Sequence, residues 1–195
     1  MKKKLFLVAA IVICVAILAS GTAAYFTAVG TARNVITSGA VDVQIEEWQK
    51  TDEGLVPYPT DEPVLIMPGS VVSKIVQVKN LEAESYIRAK FNVSVTFANV
   101  PAGEQPPVLE PGVIQVPVNE ENWIRVEGDD EWWYYKGTVE EGAVTEPLFT
   151  EVVFSGPKMD NDYQNCTVDV DVEVQAVQAA NNGSSVAEAA GWPKD

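Results

Sequence analysis

Two long runs in which apolar and polar residues alternate limit what this chain can fold into more than any other feature. The first covers residues 87–97 and the second residues 166–176. Because neighbouring side chains of a strand point to opposite faces, each run predicts a β-strand with one buried and one wet face. Cys166 falls on the apolar side of the second run, so we expect a core thiol and no disulfide between chains.

Shorter segments of strand character fill much of the remaining sequence, and proline or glycine stands in nearly every gap between them. Seven or more short strands with such turns predict an all-β fold of two sheets in a sandwich, because each sheet has an apolar face to cover. The four prolines of residues 98–112 predict an extended excursion, and Ser184 or Ser185 could cap a short helix over residues 186–190. The shorter predicted strands are 41–45, 71–79, 113–116, 123–126, 132–136 and 149–154.

The first 24 residues have the three-part pattern of a secretory signal peptide. Three lysines at positions 2–4 precede an apolar run over residues 5–19, and small residues then lead to Ala24. The apolar run has about 15 residues, whereas a membrane-spanning helix needs roughly 20. We therefore expect a signal helix that is removed by cleavage between Ala24 and Tyr25, with an uncleaved anchor as the alternative.

The predicted organisation has four parts and places the protein outside the cell, in the extracellular matrix or at the cell surface. About 170 residues remain after cleavage, which is enough for one domain with a core of its own. The parts are a signal peptide over 1–24, an N-terminal segment over 25–40, a β-sandwich domain over 41–178, and a C-terminal tail with the short helix over 179–195.

Acidic side chains greatly outnumber basic ones. The sequence has 28 acidic and 13 basic residues, and cleavage removes three of the lysines, which leaves a net charge of −18. Nucleic-acid phosphates and anionic membrane surfaces repel such a chain. We therefore expect no nucleic-acid partner, and membrane contact only through the signal peptide before cleavage. Cys166 is the only cysteine after the cut, so no intrachain disulfide is expected.

The composition also argues against catalysis, since the chain contains no histidine. Its absence removes the Ser-His-Asp and Cys-His nucleophile systems, the histidine zinc motifs and the usual general base near neutral pH. A pair of carboxylates would still suit a glycosidase, but nothing in the sequence singles out one pair among so many acids. We expect no enzyme activity, no catalytic residues and no bound cofactor.

Two acidic clusters resemble fragments of calcium-binding loops. They are Asp-Asn-Asp at residues 160–162 and Asp-Asp-Glu at residues 129–131. Neither has the central glycine and the later glutamate of an EF-hand. Solvated acidic turns are the favoured interpretation, and loose binding of calcium is left open.

Five aromatic residues lie close together in the sequence and present another candidate surface. Trp132 and Tyr134 share one face of a predicted strand, Trp133 and Tyr135 share the other, and Trp123 precedes them. We expect one pair in the core and the other at the surface. Core packing or a subunit contact is favoured over a stacking platform for a sugar.

Eight short segments occur in an order that is informative as a whole. GTAAYFT at residues 21–27 and NVITSGAVDV at 34–43 begin it, and MPGS at 67–70 leads through VKN at 78–80 to YIR at 86–88. YYK at 134–136, TEPLF at 145–149 and AVQA at 176–179 follow. In this order they resemble the TasA and camelysin family of exported proteins, although Ser70 stands where an aspartate is commoner.

The resemblance implies a jelly-roll-like β-sandwich that polymerises into fibres of a biofilm matrix after cleavage by a SipW-type signal peptidase. Accessory matrix proteins are then further partners. The segment after the cut has no acid and no proline, so it suits pairing along the sheet edge of another copy. We expect a donor strand of a head-to-tail polymer, with an edge strand of its own domain as the alternative. Its first residues are Tyr25, Phe26, Thr27, Ala28 and Val29.

Two other functions are alternatives to a structural role. Camelysins have been classed as surface metallopeptidases, but a chain without histidine lacks the usual zinc ligands. A secreted adhesin or carbohydrate-binding module would depend on the tryptophans alone. The preferred interpretation is a secreted structural protein of the cell surface or biofilm matrix that polymerises by strand donation.

Overall fold

The computed structural model describes residues 34–37, 41–59, 64, 66–97, 100, 103–160, 163 and 166–193. Within these ranges the structure is built from β-strands, which confirms the all-β prediction. The same ranges contain no helix of the length and apolar character that a membrane crossing requires. The strands are β1 (Asn34–Thr37), β2 (Val43–Thr51), β3 (Gly54–Pro57), β4 (Val71–Asn80), β5 (Ser85–Thr96), β6 (Ile114–Gln115), β7 (Trp123–Val126), β8 (Asp129–Tyr135), β9 (Phe149–Phe154) and β10 (Thr167–Gln178).

The strands form two five-stranded sheets, which we name sheet A and sheet B. Sheet A has the order β1-β10-β5-β8-β7, and sheet B has the order β3-β2-β4-β9-β6. Neighbouring strands are antiparallel except for β1 and β10, which run parallel. The two alternating runs of the sequence are neighbours in sheet A, paired from Thr167 opposite Thr96 to Gln178 opposite Ser85.

One apolar core is formed by side chains of both sheets. The rings of Phe91 in sheet A and Phe149 in sheet B meet edge to face, with their centroids 5.4 Å apart. Burying a valine, leucine or phenylalanine side chain stabilises a fold by about 1.5–3 kcal/mol. The residues that β5 and β10 contribute to the buried cluster are those that the alternation predicted: Ile87, Ala89, Val172, Val174 and Ala176.

The prediction that the second face of each run is wet is wrong near one end of the two strands. Arg88 on β5 and Gln175 on β10 point away from the core and are nevertheless buried. The chain folds back after β10, and Val186 and Trp192 of the tail pack over this part of the outer face. Further along β5 the outer face is open, and Asn92 is exposed.

The C-terminal tail contains a turn where a helix was predicted. Residues 186–188 form this turn, and Glu188 N donates to Ser185 O at 3.1 Å. Five residues make too few backbone hydrogen bonds to offset the cost of helix nucleation. The side chain of Asn182 holds the tail instead, because its Nδ2 donates to Ala190 O at 3.0 Å and its Oδ1 accepts from Ala190 N at 2.8 Å.

Most of the predicted strands have counterparts in the structure. Two of them, 123–126 and 149–154, have the same bounds as β7 and β9, whereas β1 and β3 were not predicted. Cys166 lies one residue before β10 and is half-buried, so the prediction of a core thiol is only partly right. Burial raises the pKa of this thiol. The predicted signal helix and its cleavage junction lie outside the described residues.

Candidate functional site on the outer face and edge of sheet A

The strand register of sheet A places three polar side chains side by side on its outer face. Arg88 of β5 stands opposite Gln175 of β10 on one side and opposite Tyr134 of β8 on the other. Opposite residues of an antiparallel pair project from the same face, with Cβ atoms about 4.5–5.5 Å apart. The register therefore brings a guanidinium, an amide and a phenol together.

Arg88 is a buried cation whose donors are taken up by its neighbours. Its Nε and Nη2 donate to Gln175 Oε1 at 2.9 and 2.6 Å, and its Nη1 donates to Tyr134 Oη at 3.0 Å. Nη2 also donates to the backbone oxygen of Pro193 at 3.2 Å, and Nη1 lies 3.5 Å from Asp129 Oδ2. Because a buried charge without partners is costly, this network allows Arg88 to remain charged at only 8% exposure.

Aromatic rings enclose the same guanidinium. Its central carbon lies 4.3 Å from the centroid of the Trp132 ring and 4.8 Å from that of Trp192. The Trp192 ring also meets the Tyr134 ring edge to face at 5.6 Å. A cation over an aromatic face contributes about 0.5–2 kcal/mol, so Trp192 ties the tail to the sheet. We name the receiving side chains of the sheet the outer cluster: Tyr86, Arg88, Trp132, Tyr134 and Val177.

Asp129 belongs to this network, and the prediction of a solvated acidic turn is wrong for it. Its Oδ2 accepts from the Tyr134 hydroxyl at 2.6 Å, and its Oδ1 accepts from the backbone N–H groups of Glu131 and Trp132 at 3.2 Å each. Burial acts to raise the pKa of Asp129, but these hydrogen bonds and the Arg88 charge outweigh it and lower that pKa. Burial, followed by the bond to Asp129, raises the pKa of Tyr134.

The predicted division of the aromatic residues between two faces of one strand is confirmed. Trp133 and Tyr135 pack against the main core, whereas Trp132 and Tyr134 belong to the outer cluster. The prediction that one pair lies at the surface is wrong, because the tail covers the outer pair. Trp123 is fully buried. A platform for a sugar needs an open ring face, and the structure leaves none of these five residues exposed.

The outer edge of sheet A is only partly covered by a described strand. β1 pairs with β10 from Asn34 opposite Glu173 to Thr37 opposite Ala176. Residues 167–170 of β10 pair with β5 on one side and, among the described residues, with no strand on the other. An uncovered ladder of this kind accepts a further strand. The predicted donor residues 25–29 lie outside the described residues.

The part of the chain that the structure describes contains no group of three His, Cys, Asp or Glu side chains placed to hold a metal ion. In the acidic cluster at 160–162, Asp160 is described and the other two residues are not. Asp160 lines an open depression of about 330 Å³ together with Pro107, Leu109 and Tyr163. Proline and apolar side chains supply much of the lining of this depression, and the residues that line it belong to loops.

Sequence reasoning missed a second buried charge, which lies in sheet B. Lys74 Nζ lies 2.8 Å from Glu47 Oε1 and 4.0 Å from the centroid of the Tyr58 ring. Burial, and then the Glu47 charge, raise the pKa of Tyr58. The signal that could have revealed it is the position of Lys74, which continues the buried alternation of Val76 and Val78 in β4.

Comparison with protein families, with curated proteins and with solved structures finds no match to this chain. The resemblance to the TasA and camelysin family therefore rests on the short segments of the sequence itself.

Proposed function

We propose that this protein is exported, is cut between Ala24 and Tyr25, and polymerises by strand donation as a structural component of the cell surface or biofilm matrix. Its partners are other copies of the chain, a SipW-type signal peptidase during export, and accessory matrix proteins. In this proposal the two sheets form a jelly-roll-like sandwich. The observation that carries it is the stretch of β10 at residues 167–170, which pairs on its outer side with no strand among the described residues and can offer a ladder to an incoming strand.

Strand β1 sets the register in which a donor segment would join sheet A. It runs parallel to β10 with Asn34 opposite Glu173. At the same register, residues 28–31 of a donor segment stand opposite residues 167–170. Strand addition depends on backbone hydrogen bonds, and the segment has no proline that would remove one. When the segment comes from a neighbouring copy, each chain gives one strand and receives one, so the contact repeats as an open filament.

The charge distribution supports the same segment as the donor. Residues 25–33 contain no acidic side chain, and their only charged side chain is that of Arg33. The cleaved chain as a whole carries a net charge of −18, so two copies repel each other over most of their surfaces. A segment without acids is therefore the part of one copy that meets least repulsion at the edge of another.

Electron microscopy of the chain that begins at Tyr25 tests the proposal. We expect regular filaments from the unchanged chain and folded monomers from a variant that lacks residues 25–33. Val29→Pro keeps the length but removes a backbone donor, so it should also prevent filaments, whereas the matched variant Val29→Thr should form them. Filaments in normal yield from the deletion variant would overturn strand donation by this segment.

We propose no catalytic role and no cofactor for this chain. It contains no histidine, and the partly buried carboxylates of Glu47 and Asp129 are paired with Lys74 and Arg88. A metallopeptidase or an adhesin would need a site built from other side chains, and no contact among the described residues favours one.

A further inference from the structure

We propose that the outer cluster of sheet A is a peptide-binding site, and that the C-terminal tail of a second copy occupies it in exchange for the chain's own tail. The tail is described over residues 179–193. Two chains that exchange tails form a dimer or connect two neighbouring filaments. This interface uses the opposite end of the chain from the donor segment and does not rest on strand donation.

Three anchors hold the tail on the outer cluster. Val186 is 2% exposed and belongs to the same buried cluster. The Trp192 ring packs on the Arg88 guanidinium and against the Tyr134 ring. The backbone oxygen of Pro193 accepts a hydrogen bond from Arg88 Nη2 at 3.2 Å. An apolar plug, an aromatic anchor and a carbonyl bond together are sufficient to recognise a short peptide in one orientation.

The receiving surface is held in place by the sheet itself. Gln175 and Tyr134 take up donors of Arg88, and Trp132 lies over its guanidinium. Around the guanidinium itself, the tail adds only the contact of Trp192 and the bond from Nη2 to Pro193 O. A site that is already ordered loses little freedom on binding, so a tail from another copy meets the same geometry as the chain's own.

The hinge that turns the tail back onto its own sheet holds one non-glycine residue, Asn181, in the left-handed region. Asn181 has a φ of 59° and Gly183 a φ of 83°, so two of three consecutive residues are left-handed. At Gly183 a Cβ would lie 3.0 Å from the backbone carbon of Glu188, which shows how tightly the turn is closed. A non-glycine residue in this region costs free energy, and strained hinges favour exchange of the element that follows them. Opening the hinge relieves the strain, while the anchors re-form between chains.

The charge of the tail also suits exchange between acidic chains. From Ala179 to Pro193 the only charged side chain is that of Glu188. The tail therefore approaches a second copy without the repulsion that the rest of the surface imposes. In addition, the tail brings an aromatic ring to a cation, which is the favourable pairing at the outer cluster.

A labelled peptide of residues 179–195 tests the site directly. It is titrated into the exported chain that carries Trp192→Ala, whose own tail has lost its aromatic anchor. We expect saturable binding, displacement by unlabelled peptide, and binding about tenfold weaker for a matched peptide with Trp192→Ala. Absence of saturable binding to a variant with an unchanged circular dichroism spectrum would overturn the proposal, as would equal binding of the two peptides.

Shortening the hinge gives a second test that does not depend on the Trp192 variant. Deletion of residues 181–183 prevents the tail from turning back, so its anchors can be satisfied only on a second copy. In a Val29→Pro background, which keeps strand donation out of the measurement, light scattering should give twice the monomer mass. Insertion of three glycine or serine residues at the same place should leave a monomer. A monomeric deletion variant would overturn tail exchange and leave strand donation unaffected.

Discussion

Asn80, Arg88 and Gln175 are among the polar side chains of the described residues that are buried and hydrogen-bonded. These hydrogen bonds offset the cost of removing the side chains from water. Asn80 Nδ2 donates to the backbone oxygens of Ala83 and Val139 at 2.8 Å each, which ties the turn after β4 to a distant loop. Such bonds add little net stability while they are made, but an unsatisfied buried partner is costly. We therefore expect these positions to tolerate little change.

Gln175→Leu should lower the free energy of unfolding by about 3 kcal/mol, because it leaves two donors of a buried guanidinium without their acceptor. Urea denaturation followed by circular dichroism measures the loss. The matched variant Gln178→Leu changes an exposed side chain at the end of the same strand and should cost far less. Equal losses for the two variants would show that the amide of Gln175 is not what holds Arg88.

Asn80→Asp should cost about 3 kcal/mol at neutral pH, because it turns a donor facing two carbonyl oxygens into a charged acceptor. Burial would raise the folded-state pKa of the new carboxyl, so the destabilisation is smallest at low pH, where the neutral acid can still donate one hydrogen bond, and grows as pH rises through that pKa. Urea midpoints between pH 4 and pH 7 should therefore diverge from those of the native chain as pH rises. Asn92→Asp, at an exposed position of β5 opposite Asp171, should show a smaller divergence, because only the surface repulsion between the two carboxylates contributes.

Asp169→Asn should stabilise the fold slightly at pH 7. Burial, and then the charge of Asp171, raise the pKa of Asp169, so the ionised carboxyl is less favourable in the folded chain than in the unfolded one. The gain should be about 0.5 kcal/mol or less, and it should vanish below the unfolded pKa, where both states are protonated. A lower urea midpoint at pH 7 would contradict this and indicate a stabilising partner of the carboxylate.

The sequence indicated the inward residues of β5 and β10 because alternation alone fixes which side chains share a face. It also drew attention to Asn80 and Arg88, through the segments that resemble the TasA and camelysin family. It could not show that Arg88 is buried. That burial depends on Trp192 and Pro193, which are more than a hundred residues away in the chain and reach Arg88 only through the fold of the tail.

Strand elements were predictable where alternation is long and unpredictable where it is short. β3 has four residues, from Gly54 to Pro57, and its proline favours an edge position, which β3 indeed occupies in sheet B. The tail helix was expected from capping residues alone, and Asn182 instead closes the tail by bonding to Ala190. The capping residues therefore located a reversal of the chain near residues 186–188, but they did not show that it is a turn and not a helix.

Gly54→Ala should destabilise the β2–β3 hairpin by about 1 kcal/mol. Gly54 has a φ of 119°, a region that residues with a Cβ rarely adopt, although no other atom lies near its Cβ position. The matched variant Gly137→Ala has ordinary backbone angles and only a 3.8 Å contact to the Tyr135 ring, so it should be tolerated. Thermal unfolding of the two variants distinguishes a backbone cost from a packing cost, and equal melting temperatures would contradict the prediction.

The whole molecule carries an excess of negative charge that opposes any contact between copies. In the proposed assembly, filament growth of the cleaved chain should therefore be slow at low ionic strength and accelerate as sodium chloride is raised toward 0.15 M, where the screening length falls to about 8 Å. Light scattering over time measures the rate. Calcium and magnesium chloride at equal ionic strength form the control pair, because a faster rate with calcium alone would indicate a specific site. A rate that falls with salt would contradict electrostatic opposition.

The position of β10 between β1 and β5 has a consequence for the timing of folding. Strand β1 ends at Thr37 and β5 at Thr96, whereas β10 begins at Thr167, so the β1-β10-β5 part of sheet A cannot form until residues 167–178 have been synthesised. For a chain exported N-terminus first, as proposed above, the donor segment therefore emerges early and the strand that receives it almost last. In that proposal a subunit can accept a neighbour only after β10 has left the cell, which would confine assembly to the outside.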